Sequence, residues 1–238
     1  MRGALSDSDE ARDDLLSTVQ EIAGRVTPII GVAGASPYIA DPSGYTNPVD
    51  TSRLQLLYNS RDASGEFLIG SYIGLRGEIG INRSGIRQRL SGVTSVGHNL
   101  TEEEATALDE QQVVVLQADA RGVKLLNDPT CVSANNTDEA QYADALSRLS
   151  VDAATVLIDA NSERFIGRLN KPAVLNQLRA VLRAALASLE GSSAITGTEI
   201  QVSPVDANTA DVDVSIELAK PLRNINVVIS SGTAATPA

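Results

Sequence analysis

Cys131 is the only cysteine in the 238 residues, which excludes an internal disulfide framework and any multi-cysteine metal site. Tryptophan is absent and aromatics make up only 3% of the chain. A core must therefore come from Leu, Ile, Val and Ala, and the aromatic platforms of carbohydrate-binding or single-strand-binding proteins are missing. Lysine is scarce too: 16 of the 19 basic residues are Arg, leaving Lys124, Lys171 and Lys220. Against them stand 30 acids, 17 Asp and 13 Glu, for a net charge of −11. Such a chain lacks the cationic footprint that nucleic acid or an anionic membrane surface would require, so neither is an expected partner. No apolar run reaches the roughly 18–20 residues of a membrane span. The first residues, MRGALSDSDEARDDLLS, are too acidic for a signal peptide, so the expectation is a chain made in the cytoplasm.

What remains is a chain with 42% hydrophobic residues, ample for a core. Its Asp-rich, Lys-poor surface suits a protein kept soluble in high salt, where screening removes the self-repulsion of a strongly acidic chain. An ordinary acidic protein from a GC-rich genome would share the same composition.

Hydrophobic periodicity divides the chain into alternating elements. SDSDEARDDLLSTVQEIAGR reads as a helix, with Asp7 and Glu10 at capping-box spacing and Leu15, Val19 and Ile22 on one face. VTPIIGVAG is a strand, the Pro-rich and Gly-containing residues 35–50 are a loop, RLQLLYNS is a second strand, and GEFLIGSYIGLRGEIG is a helix. Thr101 caps a short helix running to Glu110. A strand at Val113–Leu116 and another at Val123–Leu126 then form a hairpin around Arg121 and Gly122. Tyr142, Leu146, Leu149, Ala153, Val156 and Leu157 form a helical stripe.

The strongest helical signal lies at 170–191, with Asn170 as N-cap, Pro172 in the first turn and Gly191 at the end. Val174, Leu178, Val181, Leu182, Ala185, Leu186 and Leu189 line its apolar face, and Arg179 and Arg183 lie on the other. Three strands are expected beyond it, at 196–203, 211–218 and 223–230. The fold class is α+β, a mixed sheet flanked by helices. The organisation is an amino-terminal part, 1–99, and a carboxy-terminal part, 100–238. The terminal strand needs something to cover its unpaired edge.

Nothing resembles an enzyme, and no cofactor or metal is expected. His98 is a lone histidine in a polar segment, and Cys131 has no histidine beside it in sequence. GSYIGLRGEIG lacks the GK[ST] ending of a phosphate loop, so Gly70, Gly74 and Gly77 read as sites of close helix packing. TEEEA at 101–105 opens a helix and complements its dipole. Asp206, Asp211 and Asp213 could approach a cation, but read better as a solvated acidic loop.

The ordered run from LTEEEATALDEQQVVVLQADARGVKLLND, through FIGRLN and the long helix, to VDVSIELAKPLRNINVVISS resembles the carboxy-terminal core of contractile-tail sheath proteins. SRLQLLYNSRDASGEFLIGSYIGLRGEIG is similar in outline to the strand and glycine-rich helix of the same family. One departure is the acidic helix at the start, where sheath subunits commonly carry an extended arm. The resemblance implies a homo-oligomer polymerised helically around an inner tube protein, with baseplate and tail-end proteins as further partners, in a virion tail or an injection particle. It implies that terminal strands add to neighbouring subunits, here through Val212, Val214 and Ile216 and through Ile225, Val227 and Ile229. Alternatively both strands pair within one subunit as a hairpin around Lys220 and Pro221. Arg179 and Arg183 become candidates for tube contact. Two other readings stay open: another structural tail or baseplate protein, or a soluble small-molecule-binding domain.

Overall fold

Strands β1 (Arg2–Gly3), β2 (Gly31–Gly34), β3 (Leu54–Tyr58) and β4 (Val114–Asp119) run parallel in that spatial order, and β5 (Gly122–Leu125) pairs antiparallel with β4. The computed structural model describes residues 2–3, 9–23, 30–35, 42–81, 83–191 and 195–221. The expected strand 223–230, with Ile225, Val227 and Ile229, lies outside them, as does the expected cap Asp7. The two-residue β1 was not anticipated, because it is too short to show a period.

The sheet is covered on both faces, which is why its strands read as nearly continuous apolar runs. Leu54, Leu56, Val113 and Val115 point into one core, shared with Leu15 and Val19 of α1 (Asp9–Ala23) and with Ala105 and Leu108 of α3 (Glu102–Glu110). Leu57, Val114 and Leu116 point into the other, against Ile69, Tyr72, Leu75 and Ile79 of α2 (Ile69–Ile79). The capping box at Thr101 is complete: the Glu104 N–H donates to Thr101 Oγ1 at 3.2 Å, and the Thr101 N–H to Glu104 Oε2 at 2.8 Å. The hairpin turn brings Asp119 opposite Gly122, which holds φ +108°, a conformation suited to glycine. Residues 100–131 therefore complete the sheet begun by the first 99.

The glycines of α2 do not do what the sequence suggests. A Cβ at Gly70, Gly74 or Gly77 would meet nothing within 4 Å, because the packed face is the one bearing Ile69, Tyr72, Leu75 and Ile79. They lie on the opposite, exposed face. Gly74→Ala is accordingly expected to stabilise the protein by about 0.5–1 kcal/mol, read as a raised urea midpoint with an unchanged slope.

Arg76 shares the packed face, and it is buried. Its Nη1 donates to Asp128 Oδ2 at 2.7 Å, with side-chain exposures of 0% and 1%. Asp128 also accepts from Gln55 Nε2 at 3.2 Å, the Tyr72 hydroxyl at 3.1 Å, Ser84 Oγ at 3.4 Å and the Gly85 N–H at 2.8 Å. Burial, reinforced by the Asp128 charge, holds the Tyr72 hydroxyl well above its ordinary pKa. Removing one partner of a buried pair leaves a charge in a medium that cannot solvate it. Asp128→Ala is thus expected to cost about 3–5 kcal/mol in chemical denaturation. Arg76→Met combined with Asp128→Asn is expected to recover much of that loss.

The second body follows at 145–218. Helices α4 (Ala145–Ser162) and α5 (Pro172–Ala187) pack as a hairpin on strands β6 (Ile195–Pro204) and β7 (Ala210–Leu218). The helix α4 starts later than its stripe suggests. Tyr142 sits in a 3-10 turn, Asp144 takes the N-cap position, and Val156 is 37% exposed. The switch occurs because residues 128–131 grip this segment: the Ala145 N–H donates to Asp128 O, the Thr130 N–H to Ala143 O, and Thr130 Oγ1 to Tyr142 O.

Candidate functional site

Strands β6 and β7 form a separate two-stranded antiparallel ribbon, with Val202 opposite Val212, Ile200 opposite Val214 and Thr198 opposite Ile216. Alternation decides which face is which. Val212, Val214, Ile216 and Leu218 turn inward with Ile195, Ile200 and Val202, onto Leu178, Leu182 and Leu186 of α5 and Ala154 of α4. Asp211, Asp213, Ser215 and Glu217 turn outward and are exposed. Val212, Val214 and Ile216 therefore pack half-buried against the chain's own core. Within the described residues, β7 pairs with β6, through the turn at 205–209, and with no second strand.

The turn is built by polar atoms. Asp206 Oδ1 accepts from the Asn208 and Thr209 N–H groups, each at 2.7 Å. These hydrogen bonds, that of Asn208 foremost, hold the carboxyl below its ordinary 3.8. Their contribution is complete above that ordinary value and fades as pH falls through the lowered one. Asp211 and Asp213 lie outside this arrangement, on the outer face of β7. Among the described residues there is no group of three or more His, Cys, Asp or Glu side chains placed to hold a metal.

Asn170 does not cap α5. Lys171 occupies that position without a side-chain cap, and Asn170 Nδ2 instead donates to Asp206 O at 2.7 Å and Thr209 O at 3.2 Å. The helical hairpin and the ribbon are thus pinned at one end. The two arginines of α5 differ as well. Arg179 is half-buried, its Nη2 donating to Val202 O at 3.0 Å, so it lies against the ribbon instead of standing in solvent. Arg183 is exposed.

Between β7 and the start of α4 runs a groove of about 410 Å³, lined by Tyr142, Ser147 and Val151 on one side and Val214, Ile216, Leu218 and Lys220 on the other. The joint between the two bodies lies close by. Asp152 of α4 binds both Arg53, just before β3, and Arg148, one helical turn earlier, while the Ser52 N–H donates to Glu139 Oε2 at 2.7 Å. His98 is exposed, with its backbone N–H on Asn59 Oδ1 at 3.0 Å, and Cys131 is fully buried in the first core.

The architecture is an α+β body of mixed sheet and helices carrying a helical hairpin with a β-ribbon. That fold is the fold of contractile sheath proteins. Over 98% of its length this chain superimposes on 69% of a chain of the anti-feeding prophage baseplate, with a TM-score of 0.74 and 15% identity. Over 94% it matches 68% of a chain of the anti-feeding prophage helical sheath in its contracted state, with a TM-score of 0.71 and 14% identity. Over 91% it matches a sheath tail protein of Desulfitobacterium hafniense, with a TM-score of 0.66 and 15% identity, and spans only 55% of that chain's length. No family model and no curated protein matches the sequence.

Because Asn170 pins the turn, Asn170→Ala is expected to leave the fold intact while speeding amide exchange at 205–209 by roughly fivefold, the equivalent of about 1 kcal/mol of hydrogen bonding. Hydrogen-exchange mass spectrometry reads this directly. Unchanged exchange would mean that the turn is self-sufficient.

Proposed function

We propose that this chain is a subunit of a contractile sheath, polymerising helically around an inner tube and contracting to drive the tube through a target envelope. The observation that carries the reading is the ribbon: β7 has no second ladder partner among the described residues, on a fold shared with sheath proteins. An unpaired strand edge is a template for another chain's strand. The terminal segments 211–218 and 223–230 are the proposed mesh, through Val212, Val214, Ile216, Ile225, Val227 and Ile229. The backbone edge of β7, not its inward side chains, makes the cross-subunit ladder.

Strand addition suits contraction, because main-chain pairing links neighbours while each body rotates rigidly. The driving free energy is stored on assembly, in a metastable extended array. Tube contact falls to Arg183, which is exposed, more than to Arg179. The acidic surface is proposed to keep assemblies intact in high salt. The likeness to a baseplate chain supports a second reading, a ring-forming baseplate component of the same kind of particle. Neither role requires catalysis, a cofactor, nucleic acid or a membrane.

Negative-stain electron microscopy of the purified chain at high and low salt distinguishes these readings. Hollow helical tubes, lost at low salt, are the expected outcome, whereas small rings would favour the baseplate role. Deleting 223–238 is expected to abolish tubes while leaving a folded monomer. Normal tubes after that deletion would sink the mesh assignment.

A further inference from the structure

Among the described residues, the most exposed large apolar side chains lie where the helical hairpin meets the ribbon turn. Ile166 is 83% exposed and Leu169 69%, both in the turn between α4 and α5, and Val205 is 58% exposed on the ribbon turn that Asn170 clamps to it. Isolated surface leucines are ordinary, but here three exposed apolar residues sit on two turns held together by one side chain. The tip is also basic. Arg164, Arg168 and Lys171 are exposed there against two acids, Glu163 and the Asp206 of the ribbon turn, in a chain of net charge −11. The cations are held in place: the Arg168 guanidinium lies 4.7 Å from the Phe165 ring centroid and donates to Gln177 Oε1 at 3.2 Å, and Arg164 Nη2 donates to Asn161 Oδ1 at 2.7 Å. Groups fixed before binding lose little entropy on binding.

The charge that complements this tip lies on the other body of the same chain. Helix α3 presents Glu102, Glu103 and Glu110 on an open outer face, beside Thr106 and Ala107. Glu104 is held within the capping box, which leaves the other three carboxylates facing outward. Tip and helix belong to different cores, since Phe165 packs in the third and Ala105 and Leu108 in the first.

We propose that the basic, apolar tip of one copy docks on the acidic outer face of α3 in the next copy, with Ile166 and Leu169 over Thr106 and Ala107 and with Arg164, Arg168 and Lys171 against the three glutamates. Because the two patches differ, the contact is heterologous: each copy keeps a free tip and a free α3, so the contact propagates instead of closing a dimer. The inference deepens the sheath reading by naming a side-chain contact between copies that is separate from strand addition.

The test uses the full chain with Ala107→Cys and Leu169→Cys, both substitutions at surface positions. The native Cys131 is fully buried and does not compete. Mild oxidation is expected to give a reducible ladder of dimers and higher oligomers on a non-reducing gel. The control pairs Leu169→Cys with Ala63→Cys, an exposed position in the turn before α2. Adding Arg168→Glu is expected to weaken the ladder by roughly tenfold, and adding Glu103→Arg as well to restore it, as rim charges do when they steer association. A ladder no stronger than the control overturns the contact. A ladder without tubes would uphold the contact and count against the sheath, and tubes without the ladder would do the reverse.

Discussion

Asp128 is the constraint on which both bodies depend. Its carboxylate gathers donors from β3, α2 and the loop around Ser84 and Gly85, and its backbone carbonyl receives the first N–H of α4. One charged group thus sets the distance between sheet and helix on one side and the launch direction of the helical hairpin on the other. A charge taken out of water is tolerated only when its neighbours replace the lost solvation, and here donors from several elements do so together. Gly85 is part of that fit, since a Cβ there would come within 3.0 Å of the Asp128 carboxylate and 2.8 Å of Leu125.

The two bodies are joined differently from how each is held internally. Inside, mostly aliphatic side chains close-pack in three clusters, with Tyr45 and Tyr58 at the first, Phe67 and Tyr72 at the second and Phe165 at the third. The joint carries polar contacts, Asp152 with Arg53, Glu139 with Ser52 and the backbone bonds of 128–131 with 143–145, and Ile81 adds an apolar one against the core of the second body. Polar contacts are directional and individually weak in net terms, so they define an orientation between the two bodies.

Much of this was legible in the residues. Long periodic helices, the Thr101 capping box and the hairpin between β4 and β5 all follow from patterns whose physics is local. The features that were missed depend on distant partners. Asn170 looked like a helix cap because its neighbourhood in sequence is that of a cap, but the turn at 205–209, more than thirty residues on, offers its amide better acceptors. Arg179 looked solvated, and the backbone carbonyl of Val202 holds it instead. The glycines of α2 were misread because their spacing fits a packing face that lies on the other side of the helix. Arg76 left a signal that could have been used: an arginine among the inward positions of an apolar helix requires a buried acid somewhere. The stripe at 142–157 was displaced at its start because strand-like contacts to 128–131 outweigh helical propensity there.

The direction of the ribbon has a mechanical consequence. A strand laid along the edge of β7 and then pulled along its own length would load all its main-chain hydrogen bonds at once, in shear, so the bonds would resist together. The same strand pulled perpendicular to the edge would lose them one at a time, like a zipper. With Asn170 tying the far end of the ribbon to the helical hairpin, tension along β7 passes into α5 and through it to the whole subunit. A strand added there would therefore be held stiffly along one axis and yield across it.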